Sequence, residues 1–190
     1  KMNQIVINIL YSGLINLVIA ISIIVIYQTT KFFHLAHAII ITFGAYFNYL
    51  FSIQLNMSLW MAFPLAIIGS VIIAVFMELF IYKPLRKQDT SSWKMLIASL
   101  GLYVILQNLI STFWGDDTKS IRTWSVKTGH NFFGAYITDV QIITITVSVM
   151  LFVGVLLFLS FAPLGKQIRA VSSNDELSNI FGISSDRVIL

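Results

Sequence analysis

The sequence predicts an all-α fold, a polytopic bundle of transmembrane helices, and three observations support this prediction. Five apolar stretches each reach about 20 residues or more, the length that a helix needs to cross a hydrocarbon core of about 30 Å. Of the 190 residues, 57% are hydrophobic and only 11% are charged. The mean hydropathy of +0.86 indicates too little polar surface to cover a water-soluble globule.

The predicted spans follow one another along the chain and are residues 5–27, 32–53, 59–82, 95–114 and 140–164. Only the third span contains a charged side chain, Glu78, which lies close to its end. Pro84 stops the helix shortly afterwards. Because a carboxylate in a membrane needs a partner, we expect Glu78 to pair with Arg86 or Lys83, and a role in proton transfer is the alternative.

Basic residues are distributed unevenly between alternate connections. One set of connections holds eight Lys and Arg residues, and the other set, which includes the N-terminus, holds four. The positive-inside rule places the richer set in the cytoplasm, so the N-terminus and residues 115–139 are predicted to lie outside. Lys87 and Asn174 are then inside, and Lys127 is outside. The basic residues form no patch with interleaved aromatics, so no nucleic-acid partner is predicted.

Polar side chains recur every four residues in the first and fourth spans, and each set therefore lies along one face of its helix. These two stripes consist of Asn8, Ser12 and Asn16 in the first span, and of Ser99, Tyr103, Gln107 and Ser111 in the fourth. Such a face can hold helices together through hydrogen bonds, which is common in membrane bundles. It can also line a pathway for a polar solute, and both interpretations stay open.

The second span carries two histidines near its start, and His34, His37, Gly44 and Asn48 fall along one stripe. A zinc site needs three or four ligands, and the remaining histidine, His130, lies in a distant connection. The chain also contains no cysteine. Neither a metal site nor a cofactor is therefore predicted, and structural histidines bonded to backbone carbonyls are the favoured interpretation.

The segment after the fifth span predicts a short cytoplasmic helix. Ser173 and Glu176 have the spacing of a capping box, which marks a helix start, and Gly182 is a suitable stop. The apolar residues available on this helix to a soluble partner, or to the inner leaflet of the membrane, are Leu177, Ile180 and Phe181.

These features resemble one known family, the permease subunits of ABC importers for branched-chain amino acids. The second span of that family carries Asn-Phe-Ala-His-Gly and then Gly-Ala-Tyr, and residues 34–38 here read His-Leu-Ala-His-Ala, followed by Gly-Ala-Tyr at 44–46. The family's Glu before Arg-Pro-Leu-Arg is similar to Glu78 before Lys-Pro-Leu-Arg at 83–86. Its Gln-Asn pair in the next span is similar to residues 107–108.

The resemblance extends to the cytoplasmic segment, where the family pattern Gly-x-x-x-Arg-Ala…Gly-Ile matches Gly165, Arg169 and Gly182 with their following residues. Two positions depart from the family, since His34 stands where Asn is usual and Ala38 where Gly is usual. The match runs through the whole chain in order. Family members are longer by several spans, so residues 1–190 are expected to be the N-terminal part of a single transmembrane permease domain.

The resemblance implies a subunit of the inner membrane, in contact with lipid, that forms part of the solute pathway for branched-chain or related amino acids. Its implied partners are a second permease subunit, cytoplasmic ATP-binding subunits and an extracytoplasmic solute-binding protein. ATP hydrolysis belongs to the ATP-binding subunits, and this chain, which has no Gly-rich phosphate loop, is expected not to be an enzyme.

Two groups of residues are expected to serve this function. The coupling segment to the ATP-binding subunits is residues 165–183, and its expected contributors are Arg169, Ser173, Glu176, Leu177 and Gly182. A zwitterionic solute needs polar partners that lipid cannot offer, and the candidates on the polar stripes are Asn8, His37, Asn48 and Gln107.

Two other classes of protein are weighed beside the resemblance. A channel or half of a secondary transporter would not need the capped cytoplasmic helix. An intramembrane enzyme could use His34 or His37 as a general base with Asp116 or Asp117 in support. The predicted topology argues against the enzyme, because it places these aspartates and histidines on opposite sides of the membrane, too far apart to share a proton.

Overall fold

The structure is a computed structural model that describes residues 2–88, 91–122, 129–132, 134–184 and 188–189. Most of these residues lie in helices, and the predicted all-α class is confirmed. Lys127 lies outside the described residues. The chain divides into two compact units, one formed by residues 1–29 with 124–189 and the other by residues 30–123.

The second unit contains three long helices that pack around one apolar core. Its elements are α2 (His37–Tyr49) with a π-helical extension (Leu50–Gln54), α3 (Leu59–Met77) with a π-helical turn (Glu78–Tyr82), α4 (Lys83–Arg86) and α5 (Ser92–Trp114). The core includes Phe32, Ile39, Phe43, Tyr82 and Ile110. Helices α2 and α3 approach each other closely where Gly69 of α3 meets Phe47 of α2. A Cβ atom at Gly69 would lie only 2.9 Å from the Phe47 ring.

The first unit combines the longest helix with a small hairpin and the C-terminal helices. Its elements are α1 (Met2–Thr30), the antiparallel strands β1 (His130–Phe132) and β2 (Ala135–Ile137), α6 (Asp139–Phe161), α7 (Pro163–Ser173) and α8 (Asp175–Ile180). The Gln4 side chain holds β2 through both ends of its amide, because Oε1 accepts from the Tyr136 N–H at 2.8 Å and Nε2 donates to the Tyr136 carbonyl at 3.1 Å.

Four helices in the described part of the chain are long and apolar enough to cross a membrane, and five spans were predicted. They are Met2–Thr30, Leu59–Arg86, Ser92–Trp114 and Asp139–Phe161. The second predicted span is corrected, because its helix starts at His37 and not at residue 32. Lys31 has a left-handed φ of 58° that ends α1, and the buried residues Phe32 and Ala36 anchor a non-helical connection.

The segment that follows the fifth predicted span also differs from the prediction in two ways. The fifth span ends at Phe161, because Ala162 is extended before Pro163, as residues before proline usually are, and Pro163 then starts the separate helix α7. The predicted cap at Ser173 is wrong, since Ser173 is the last residue of α7. Asn174 caps α8 instead, with its Oδ1 accepting from the Leu177 N–H at 3.0 Å.

Candidate functional site

A groove between α2 and α3 forms the first candidate site. It encloses a cavity of about 420 Å³, which Ile40, Gly44 and Asn48 line from α2 and Phe63 and Ser70 line from α3. Apart from Asn48 and Ser70, its lining is apolar. The groove is narrow where Gly44 of α2 faces Ser70 of α3. A Cβ atom at Gly44 would lie 3.2 Å from the Ser70 Oγ.

Asn48 is the polar group that this groove offers to a ligand. The Ser70 hydroxyl already donates to the Ala66 carbonyl of its own helix at 2.8 Å. The Asn48 Oδ1 atom, by contrast, is buried and has no hydrogen-bond partner among the described residues. Asn48 also lines a second cavity of about 420 Å³ with Trp60 and Pro64. A buried amide without a partner costs about 1–3 kcal/mol, so a donor that reaches Asn48 would be stabilising.

The other predicted pathway residues lie elsewhere. His37 is the first residue of α2, and at 1.5 Å per residue it is about 16 Å along the helix from Asn48. Gln107 is exposed on α5, although Ser99 and Ile110 of the same helix are buried. Asn8 belongs to the first unit, where it is exposed on α1 beside a shallow pocket of about 460 Å³. The described groove therefore includes Asn48 and neither His37 nor Gln107.

His34, the first residue of the histidine pair, packs against two aromatic rings. The His34 ring lies 4.5 Å from the ring of Tyr82 and 5.6 Å from that of Phe32, measured between centroids. The buried N–H of Ala36 donates to the Ser99 Oγ at 2.9 Å, which fastens the start of α2 to α5. The sequence placed Ser99 on a polar stripe but did not indicate its partner. The role of Tyr82 as a platform for His34 was also missed, because the two are far apart in sequence.

Glu78 pairs with Arg86, which confirms one of the two predicted partners. The Glu78 carboxylate accepts from the Arg86 guanidinium, and the two side chains are 14% and 18% exposed. The pair joins the first residue of the π-helical turn to the last residue of α4. Removing one partner from such a buried pair leaves an uncompensated charge, so the contact stabilises this end of α3.

The C-terminal helices form the second candidate site. Of the predicted coupling residues, Glu176 and Leu177 lie in α8, Ser173 ends α7, and Gly182 follows α8 with a φ of +83°. Arg169 lies in α7 and donates through Nη2 to the Ser160 carbonyl at 3.2 Å. Three apolar side chains of this segment are strongly exposed, namely Leu177 at 52%, Ile180 at 79% and Phe181 at 76%.

Long apolar helices with a mainly apolar groove and an exposed apolar C-terminal segment define a multi-pass membrane protein. The family described as the permease component of branched-chain amino acid transport systems matches residues 5–190, and the chain belongs to it.

Individual relatives agree with this assignment. The chain is 26% identical over 184 residues to the high-affinity branched-chain amino acid transport system permease protein LivH of Salmonella typhimurium, and 24% identical to LivH of Escherichia coli K12. It is 26% identical over 185 residues to BraD of Pseudomonas aeruginosa, which is also a high-affinity branched-chain amino acid transport system permease protein. Each alignment covers 90% of this chain and 59% of the relative. No solved structure matches the chain.

Proposed function

We propose that this chain is part of a permease subunit of an ABC importer in the inner membrane, which carries branched-chain or related amino acids. The observation that supports this most strongly is the family match over residues 5–190. The similarity to LivH and BraD, both permease proteins of high-affinity branched-chain amino acid transport, supports the solute class. ATP hydrolysis takes place in cytoplasmic ATP-binding subunits, and the chain itself is not an enzyme.

The permease works with a second permease subunit and an extracytoplasmic solute-binding protein. In this proposal the N-terminus and the β1–β2 hairpin lie outside, and α7 and α8 lie in the cytoplasm. The exposed side chains of Leu177, Ile180 and Phe181 dock on an ATP-binding subunit, since burying apolar surface drives such association. Residues 165–183 are then the coupling segment, with Arg169, Ser173, Glu176 and Gly182 shaping its two helices.

The groove around Asn48 contributes to the solute pathway. Its apolar lining suits the aliphatic part of a branched-chain amino acid, and the Asn48 amide suits a polar group of the same solute. Asn8, His37 and Gln107 are further candidate contacts along the pathway.

Copurification tests this proposal. The full-length native protein is tagged and isolated from its own membranes in mild detergent, and the isolate is assayed for ATP hydrolysis. We expect an ATP-hydrolysing subunit to copurify, and Leu177→Asp to weaken its binding, because a buried charge adds a desolvation cost. Gln88→Asp, which adds a charge to another exposed cytoplasmic position, is the control. An isolate without ATP hydrolysis would favour a channel or secondary transporter.

A further inference from the structure

Helix α7 is packed directly on the end of α6, with no side chain between the two backbones. Gly165 is buried, and a Cβ atom there would lie 2.2 Å from the Phe158 carbonyl oxygen and 2.7 Å from the Leu159 Cα. No other residue type fits at this distance without moving one of the helices. The break at Ala162 therefore turns α7 back onto α6 and does not act as a loose linker.

Arg169 adds a polar contact one turn further along α7. Its Nη2 donates to the carbonyl of Ser160 at 3.2 Å. Ser160 lies in the last turn of α6, where carbonyls have no partner within the helix and where the helix dipole favours a cation. A hydrogen bond from a charged donor is also stronger than a neutral one. The contact thus spans the break between the two helices.

Helix α8 is joined to α7 by backbone and side-chain hydrogen bonds. The Asn174 N–H donates to the Ala170 carbonyl at 3.1 Å, so the backbone continues the α7 hydrogen bonding up to the cap of α8. The Ser178 hydroxyl donates to the Asn174 carbonyl at 2.8 Å. Val171 and Ser178 are buried, which fixes one face of each helix. A chain of tight contacts therefore runs from α8 through α7 to α6.

We infer that Gly165 and Arg169 fasten α7 to α6, so that a displacement of α8 moves the membrane-spanning helix α6 with it. This inference rests on the proposed function, in which α8 receives the push of an ATP-binding subunit. Arg169 is then a positioning residue that transmits movement, and it does not need to touch the partner subunit. Packed side chains, hydrogen bonds and rigid helices of this kind are what carries energetic coupling between distant parts of a protein.

A defect in docking would lower ATP hydrolysis and solute transport together, whereas a defect in transmitting movement would lower transport alone. If the α6–α7 contact transmits movement, its loss leaves docking and ATP hydrolysis in place but lowers the amount of solute carried per ATP. Arg169→Gln removes the cation, whereas Arg169→Lys keeps a charged donor that can reach the same carbonyl. Lys94→Gln is the matched control, because Lys94 is an exposed cation on α5, outside the coupling segment.

The experiment uses the native complex, captured through a tag on the full-length protein and reconstituted in lipid vesicles. ATP hydrolysis and uptake of radiolabelled leucine are measured per assembled complex for each variant. We expect Arg169→Gln to keep ATP hydrolysis and to lower leucine carried per ATP by about two- to tenfold, the effect of one exposed hydrogen bond. Arg169→Lys restores most of this ratio, and Lys94→Gln leaves it unchanged.

Other outcomes overturn the inference. A parallel fall of hydrolysis and uptake at constant ratio in Arg169→Gln would place Arg169 in docking. Loss of assembly in both Arg169 variants would assign the contact to folding. The wild-type complex is measured before any variant. If it neither hydrolyses ATP nor carries leucine, the proposed function is overturned, and the inference with it.

Discussion

At the scale of single residues, the buried polar groups of the second unit differ in whether the protein itself satisfies them. The Ser99 hydroxyl accepts the buried N–H of Ala36, and Glu78 pairs with Arg86. Asn48 keeps an amide oxygen buried without a partner among the described residues. A satisfied group stabilises the fold, whereas an unsatisfied one in a groove is available for function. We therefore expect substitution of the first kind of residue to change stability and substitution of the second kind to change transport.

Ser99→Ala tests the first kind. Without its hydroxyl, the N–H of the fully buried Ala36 loses its acceptor, so we expect the free energy of unfolding to fall by about 1–3 kcal/mol. Ser70→Ala is the control, because the Ser70 hydroxyl only bonds a carbonyl of its own helix. The measurement is denaturant unfolding of the purified protein in detergent. Equal stability of the two variants would show that the Ala36 N–H does not depend on Ser99.

Asn48→Ala and His37→Asn test the pathway. If Asn48 contacts the solute, its truncation costs about 1–3 kcal/mol of interaction and lowers leucine uptake per assembled transporter tenfold or more. Asn108→Ala is the control, since the Asn108 amide donates to Val104 within its own helix. His37→Asn, at the far end of α2, is predicted to lower uptake if the pathway runs along the whole stripe. Normal uptake in both variants would remove α2 from the pathway.

At the scale of elements, hydrophobic length and cap chemistry predicted the long helices but not every boundary. The spans at residues 59–82 and 95–114 are close to the observed α3 and α5 because apolar length and flanking prolines or glycines act locally. The start of α2 could not be predicted, because Phe32 and Ala36 are as apolar as a helix interior. The N–H of Ala36, just before α2, is bonded by Ser99, which is 63 residues away.

The cap of α8 gives a test at this scale. Asn174→Ala removes the acceptor for the Leu177 N–H and should destabilise α8 locally by about 1 kcal/mol, the usual cost of losing a cap. Ser173→Ala lies inside α7 and is expected to have little effect. Hydrogen exchange of the Leu177 and Ser178 amides reports the difference. Faster exchange in Ser173→Ala than in Asn174→Ala would restore the cap that the sequence predicted.

At the scale of the whole molecule, the family and fold class were predictable and the site geometry was not. Apolar length and ordered motifs extend along the chain, so they identify a multi-pass member of this family from sequence alone. Of the four pathway candidates, the groove contains only Asn48, because helix packing decides which stripe meets which neighbour. The contact of Arg169 with the end of α6 was equally hidden, since it depends on the turn at Ala162.

The topology can be tested with single cysteines, because the chain has none of its own. Lys87→Cys is predicted to be protected from a membrane-impermeant thiol reagent in intact cells, and Tyr136→Cys, in the hairpin, to be labelled. Both positions are exposed, so burial does not limit the reaction. Permeabilised cells provide the control, with both positions labelled. Labelling of position 87 and protection of position 136 in intact cells would reverse the orientation.

The central claim, that this chain belongs to an ATP-driven importer, is tested most directly by leucine uptake into vesicles that hold the native complex. We predict that leucine accumulates above its external concentration when hydrolysable ATP is supplied on the side of the membrane where α8 lies. We also predict no accumulation with a non-hydrolysable analogue. Leucine that equilibrates without ATP, or that accumulates only with an ion gradient, would contradict the account and identify a channel or a secondary transporter.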